Sequence, residues 1–148
     1  QYGLQYDASL WEMLGLAYFE AYHADDAAPK GYLDKAAECF QRVLDLGIVK
    51  AYLYIDLYTV YYEGGEYELA DNALLNFEQN FPNYYIPHAL RGILLITIEN
   101  QKPQDERDYN NVRREYEIAD ELAHSGDDKT YLLQLEKLIE QLEAAGWM

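Results

Sequence analysis

The sequence predicts an all-α protein of about three helix pairs followed by one closing helix, and three observations carry that expectation. No segment of useful length alternates apolar and polar residues as a half-buried strand does, whereas apolar residues recur along the chain with a period of about 3.6. Glycine, proline and acidic clusters interrupt that period where helices should end. Blocks of sequence also return, similar to themselves, at a step of about 34 residues.

The first helix is expected from about Ser9 to Tyr22, with Leu10, Leu14, Ala17 and Tyr18 on its apolar stripe. Asp25, Asp26, Pro29 and Gly31 break the pattern, and a second helix follows with Leu33, Ala36, Ala37, Phe40, Val43 and Leu44 inward. Gly47 ends it as a helix-terminating glycine. A third carries Tyr54, Leu57, Tyr58, Tyr61 and Tyr62 up to Gly64-Gly65. The fourth carries Tyr67, Ala70, Ala73, Leu74 and Phe77 and stops near Phe81-Pro82-Asn83. Ala89, Leu90, Ile93, Leu94 and Ile96 mark the fifth, with Lys102-Pro103 in the loop behind it. Val112, Tyr116, Ala119 and Leu122 mark the sixth, closed by Ser125-Gly126. The seventh, capped by Asp127 or Asp128, places Leu132, Leu135, Ile139 and Leu142 on one face.

Trp11, Leu14, Gly15 and Tyr18 align with Tyr54, Leu57, Tyr58 and Tyr61, and again with His88, Arg91, Gly92 and Leu95. In the partner helices Ala36 and Phe40 align with Ala70 and Leu74, then with Val112 and Tyr116. Excess length falls in loops around His23–Gly31 and Glu99–Asp108, where insertion costs little. The chain therefore resembles the tetratricopeptide repeat (TPR) family over nearly its whole length, 1–148 reading as one domain. Repeats span approximately 8–48, 51–84 and 85–124, and a solvating helix closes the stack at about 127–145. Trp11, Leu14, Gly15, Tyr18, Ala36 and Phe40 fit the family pattern in the first repeat, and Leu57, Tyr61, Gly65, Tyr67, Ala70 and Pro82 in the second. The third departs from it, since Arg91 stands where the family has an apolar core residue.

The resemblance implies a right-handed superhelix in which the first helix of each pair lines a concave groove. Glu12, Leu16 and Phe19 would line it from the first repeat, and Tyr52, Ile55, Thr59 and Tyr62 from the second. Ile86, Ala89, Ile93 and Ile96 would line it from the third. Such an apolar, Tyr-rich trough suits an amphipathic helix or an extended segment of a partner. The competing reading fills it with the chain's own closing helix or with a further helix on the N-terminal side. The carboxylate clamp of the chaperone-binding members is rejected, because Glu12, Leu16, Asp56, Ile86 and Leu90 occupy the places of its Lys, Asn and Arg residues. The run Lys102-Pro103 to Tyr109, with Tyr116, Ala119 and Gly146-Trp147, is similar to the repeat region appended to serine/threonine kinases of Gram-positive bacteria. That similarity implies a regulatory appendage of a larger signalling protein, and the start at Gln1 is read as agreeing with it. Glu106, Arg107 and Asp108 are read there as helix-start acids with a local ion pair, a docking determinant being the alternative. Trp147 is expected to fold back onto the closing helix, the alternative being an anchor for another chain.

Charge narrows the partner. Twenty-seven acids against 11 bases give a net charge of −16, which repels phosphate backbones and disfavours nucleic acid and anionic membranes. Either a neutral or basic protein or peptide partner or mere solvation of the outer faces accounts for it. Sixteen tyrosines supply bulky rings with polar tips, suited to half-buried faces and binding surfaces. Cys39, the single cysteine, reads as a packed thiol and demands no oxidising compartment. No apolar run reaches the roughly 18 residues of a membrane span, so the expected location is cytoplasmic, the outer face of a membrane-anchored parent being the alternative.

No catalytic constellation, metal site or cofactor motif is expected. His23, His88 and His124 are scattered, Asp25-Asp26 and Asp127-Asp128 suit helix starts, and only Ser9 and Ser125 offer a serine hydroxyl. Gly64-Gly65 lacks the preceding strand and the following Lys-Ser/Thr of a phosphate cradle. The reading is a non-enzymatic protein-binding scaffold, with a structural or dimerising module, the same surface buried between copies in a homodimer, as the alternative.

Overall fold

The computed structural model describes residues 2–148, and of Tyr2, Leu4 and Gln5 the backbone alone. The described residues form seven α-helices and one short 3-10 turn, with no strand among them. In order they are α1 (Tyr2–Ala24), α2 (Gly31–Asp45), α3 (Ala51–Glu63), α4 (Tyr67–Asn80), α5 (Ile86–Asn100), the 3-10 turn Gln104–Glu106, α6 (Asn110–Leu122) and α7 (Thr130–Ala144). The fold class is all-α, as the periodicity predicts. Two compact units divide the chain within α4, one running to Ala73 and the other starting at Leu74.

In the first unit α1 and α2 pair closely because Gly15 has no side chain. A Cβ built there would stand 2.9 Å from the Phe40 ring and 3.1 Å from the Cys39 Cβ. Phe40 is 1% exposed and packs with Leu33, Ala36, Val43, Leu53, Leu57 and Val60, a burial worth about 1.5–3 kcal/mol. The α2 terminus explains its own stop. Gly47 adopts φ +88°, its N–H reaches the Leu44 carbonyl, and the Ile48 N–H reaches that of Val43. Both orphan carbonyls are thereby satisfied, and Ile48 is delivered onto the core beside Val43. Cys39 is buried at 3% exposure, and that burial, then neighbouring Glu38, pushes its thiol pKa up.

The inward stripe expected for α1 holds at Tyr18 and fails at its other three residues. The helix begins at Tyr2, seven residues before Ser9, and turns Ala8, Trp11, Gly15, Tyr18 and Tyr22 inward. Leu10 (47% exposed), Leu14 (43%) and Ala17 face outward. Both stripes have helical spacing, and the smallest residue, not the most apolar set, selects the face that touches α2. Arg42 then covers the inner Trp11, its guanidinium 5.1 Å from the ring centre.

The second unit is built on α5, α6 and α7. Its apolar cores are Ile96, Tyr109, Val112, Leu135, Ile139 and Leu142 on one side, and Tyr85, Ala89, Ala119 and Leu132 on the other. The four residues expected to form the inner face of α7 are all buried, while Gln134, Lys137, Glu140, Gln141 and Glu143 face water. Asp128 accepts hydrogen bonds from the N–H and hydroxyl of Thr130 and so caps α7, and its backbone carbonyl accepts one from the Tyr85 hydroxyl. A charged cluster stands beside the apolar packing of α5 on α6. His88, 6% exposed, meets Glu115 at 2.8 Å and Glu78 at 3.5 Å, and Arg91 meets Glu78 at 3.1 Å. Arg91 thus resolves the departure from the repeat pattern by carrying ion-pair partners with it.

The segment 102–109 is fastened by its own side chains. Glu99, 7% exposed, accepts Lys102 Nζ at 2.6 Å and the Asp108 N–H at 2.8 Å. Burial pushes the Glu99 carboxyl up, but these donors outweigh it and the pKa is lowered. Asp108 also caps α6 through the Asn110 N–H. The local ion pair expected of Arg107 is not what holds it. Its guanidinium donates instead to the carbonyls of Lys102 and Asn100, where helix α5 leaves acceptors unpaired. Trp147 folds back: its N–H reaches the Leu142 carbonyl, and its ring meets Tyr109 edge-on and lies under Arg107.

Candidate functional site

The residues expected to form one groove fall in the two units, and the structure treats them differently. In the first unit Leu16 and Phe19 of α1 meet Thr59 of α3 across a cleft of about 80 Å³, with Phe40, Asp56 and Val60 completing its walls. Phe19 is half-buried against the core, and Leu16 stays 39% exposed. The Thr59 hydroxyl donates to the Ile55 carbonyl one turn back, so its methyl is what it offers the cleft. Ile55 is half-buried beside it.

Tyr52 stands 42% exposed at the start of α3. Its phenol is pushed up to about 12, first by desolvation and then by Glu12, which accepts its hydrogen bond and adds negative charge. Lys50 lies 5.7 Å over its ring. Tyr62 is half-buried, with ring contacts to Tyr58 at 5.6 Å and Tyr67 at 5.8 Å.

Asp56, which is not among the residues expected to line the groove, stands in the wall of this cleft. It is half-buried, and its carboxyl is pushed up to about 6, first by loss of water and then by the charge of Glu12. The signal was available: Asp56 is the only charge between Ala51 and Tyr62 of an otherwise apolar helix. The arrangement can accept a cationic group, since a nearby ammonium or guanidinium would return this carboxyl to its ordinary ionised state.

In the second unit the inner wall of α5 is covered. Ile96 is 3% exposed beneath Leu135 and Ile139, and Ala89 is fully buried against Ala119 and Leu132, so neither lines a groove. Gly92 is the cause, because the Leu135 side chain of α7 occupies the space its Cβ would take, 2.6 Å away. Ile93 remains half-buried at the edge of a shallow cleft with Gln134, Lys137, Leu138 and Gln141. Here the closing helix does fill the trough.

Among the described residues no group of three or more His, Cys, Asp or Glu side chains is placed to hold a metal ion. Among the described residues no helix is long and apolar enough to cross a membrane. No model of a known protein family matches the chain, and no curated protein matches it.

Proposed function

We propose that the chain is a non-catalytic protein-binding module of the tetratricopeptide type, whose first unit takes an extended, basic segment of a partner protein along α1 and α3. The observation that supports this best is the cleft itself: Leu16, Phe19 and the Thr59 methyl provide an apolar seat, and Asp56 stands in its wall with a carboxyl pushed up to about 6 beside Glu12. An apolar residue fills the seat and a neighbouring Lys or Arg neutralises the acid pair, while the net charge of −16 steers such a segment inward. The role fits a regulatory appendage of a larger bacterial signalling protein, a reading that rests on the resemblance in 102–147 alone.

The test is calorimetric titration with synthetic peptides that alternate apolar and basic residues, against acidic counterparts of equal hydrophobicity. Micromolar binding of the basic set, lost in Asp56→Asn and weakened in Tyr52→Ala with helicity intact by circular dichroism, supports the proposal. Equal affinity for both sets, or no effect of either substitution, overturns it.

A further inference from the structure

We infer that the outward face of α1 is a second docking surface, fitted to an amphipathic partner helix with Lys or Arg on its flanks. Tyr6 is 67% exposed, Met13 65%, Leu10 47% and Leu14 43%, and with exposed Ala17 they recur three or four residues apart. That spacing makes a single apolar stripe, opposite the Ala8–Trp11–Gly15 face that packs on α2. Single exposed leucines are ordinary, whereas a stripe this continuous marks a contact surface. The further exposed alanine Ala21 extends it, where only small side chains stand in the way of a bulky residue from the partner.

Charge selects the occupant. α1 contains no Lys or Arg, and by helical spacing Asp7 and Glu20 border the stripe on opposite sides. A facing helix with basic flanks gains on both edges, as flanking charges do in helix pairs. A second copy would set acids against acids and −16 against −16. This surface is independent of the α1–α3 cleft, which lies on the Leu16 and Phe19 side of the same helix.

The experiment uses fluorescein-labelled 20-residue peptides of leucine and lysine, one with leucine in a helical stripe and one of the same composition scrambled. Fluorescence anisotropy with the full chain should show the striped peptide binding at least ten-fold tighter than the scrambled one. The double substitution Leu10→Gln, Met13→Gln should erase that gap, since both side chains already face water and the fold does not depend on them. Tyr52→Ala should leave the gap in place, which separates this surface from the cleft. Equal binding of striped and scrambled peptides, or a gap untouched by the double substitution, overturns the inference. So does sedimentation showing a dimer that the double substitution dissolves, because a second copy would then be the occupant.

Discussion

Trp11 and His88 hold equivalent places in their helix pairs, as do Gly15 and Gly92, yet little else about their surroundings agrees. In the first unit Gly15 admits the ring of Phe40 from the next helix, and the α1–α2 seam is sealed by Trp11, Phe40 and buried Cys39. In the second, the position matching Cys39 is Glu115, which reaches His88 and Arg91, and Gly92 is filled by Leu135 from α7 instead. The lesson is that a glycine at an aligned place specifies a close approach without specifying who approaches. Beside the ionic contacts of the second unit, the apolar neighbour of the glycine comes from the closing helix.

The largest effect should come from opening the apolar seam. Phe40→Ala removes a ring at 1% exposure and should cost about 3–5 kcal/mol in urea denaturation. The half-exposed Tyr116, its counterpart, should cost less than half as much on the same change. A loss for Tyr116→Ala equal to that of Phe40→Ala would erase the contrast.

Next comes the ionic seam. Glu115→Ala takes from His88 its carboxylate at 2.8 Å and leaves Glu78 alone to serve both His88 and Arg91, whose side chains are 7% and 12% exposed, and should cost about 2–4 kcal/mol at neutral pH. Replacing its three least exposed members, with His88→Leu, Arg91→Met and Glu115→Leu together, leaves only Glu78, 35% exposed, to water and should restore wild-type stability or exceed it. If the triple variant is as weak as Glu115→Ala, the charges provide more than mutual compensation.

The glycines give a smaller and sharper test. Gly15→Ala and Gly92→Ala should each cost about 1–3 kcal/mol through overpacking. Phe40→Leu should couple to Gly15→Ala alone, and Leu135→Val to Gly92→Ala alone, by more than ~0.5 kcal/mol in double-mutant cycles. Coupling across the units would contradict the neighbours described above.

The smallest effect concerns Asp56. Its folded pKa of about 6 lies above the ordinary value of 3.8, so between those values the folded state binds the extra proton. Stability should therefore rise as pH falls from 6 toward 4 and drop again as pH climbs back through 6. Asp56→Asn should remove that component, measured as a flatter profile of thermal midpoint against pH. The second unit's ion pairs remain in the variant, so the difference isolates the first unit.

The helices were legible because apolar spacing and terminating glycines act locally, and α7 was read correctly face and all, since Leu132, Leu135, Ile139 and Leu142 compete with no second stripe. On α1 two stripes compete, and only the Gly15–Phe40 contact, made across the pair, decides between them. The candidate site was read in part for the same reason. Leu16, Phe19 and Thr59 do meet, but Ile96 and Ala89 disappear under a helix more than thirty residues further along. The His88–Arg91–Glu115–Glu78 cluster joins three helices, so no local pattern announces it. Asp56 was visible as a lone charge, but its role depends on Glu12 from another helix.

The two tryptophans give the molecule a built-in optical label. Trp11 belongs to the first unit and Trp147 to the second, each beneath an arginine, at 5.1 and 5.7 Å. Trp11→Phe or Trp147→Phe leaves one emitter, so the melting of each half can be followed by its own colour change. Disagreement between the two emission curves would show the halves coming apart in sequence, without any attached dye.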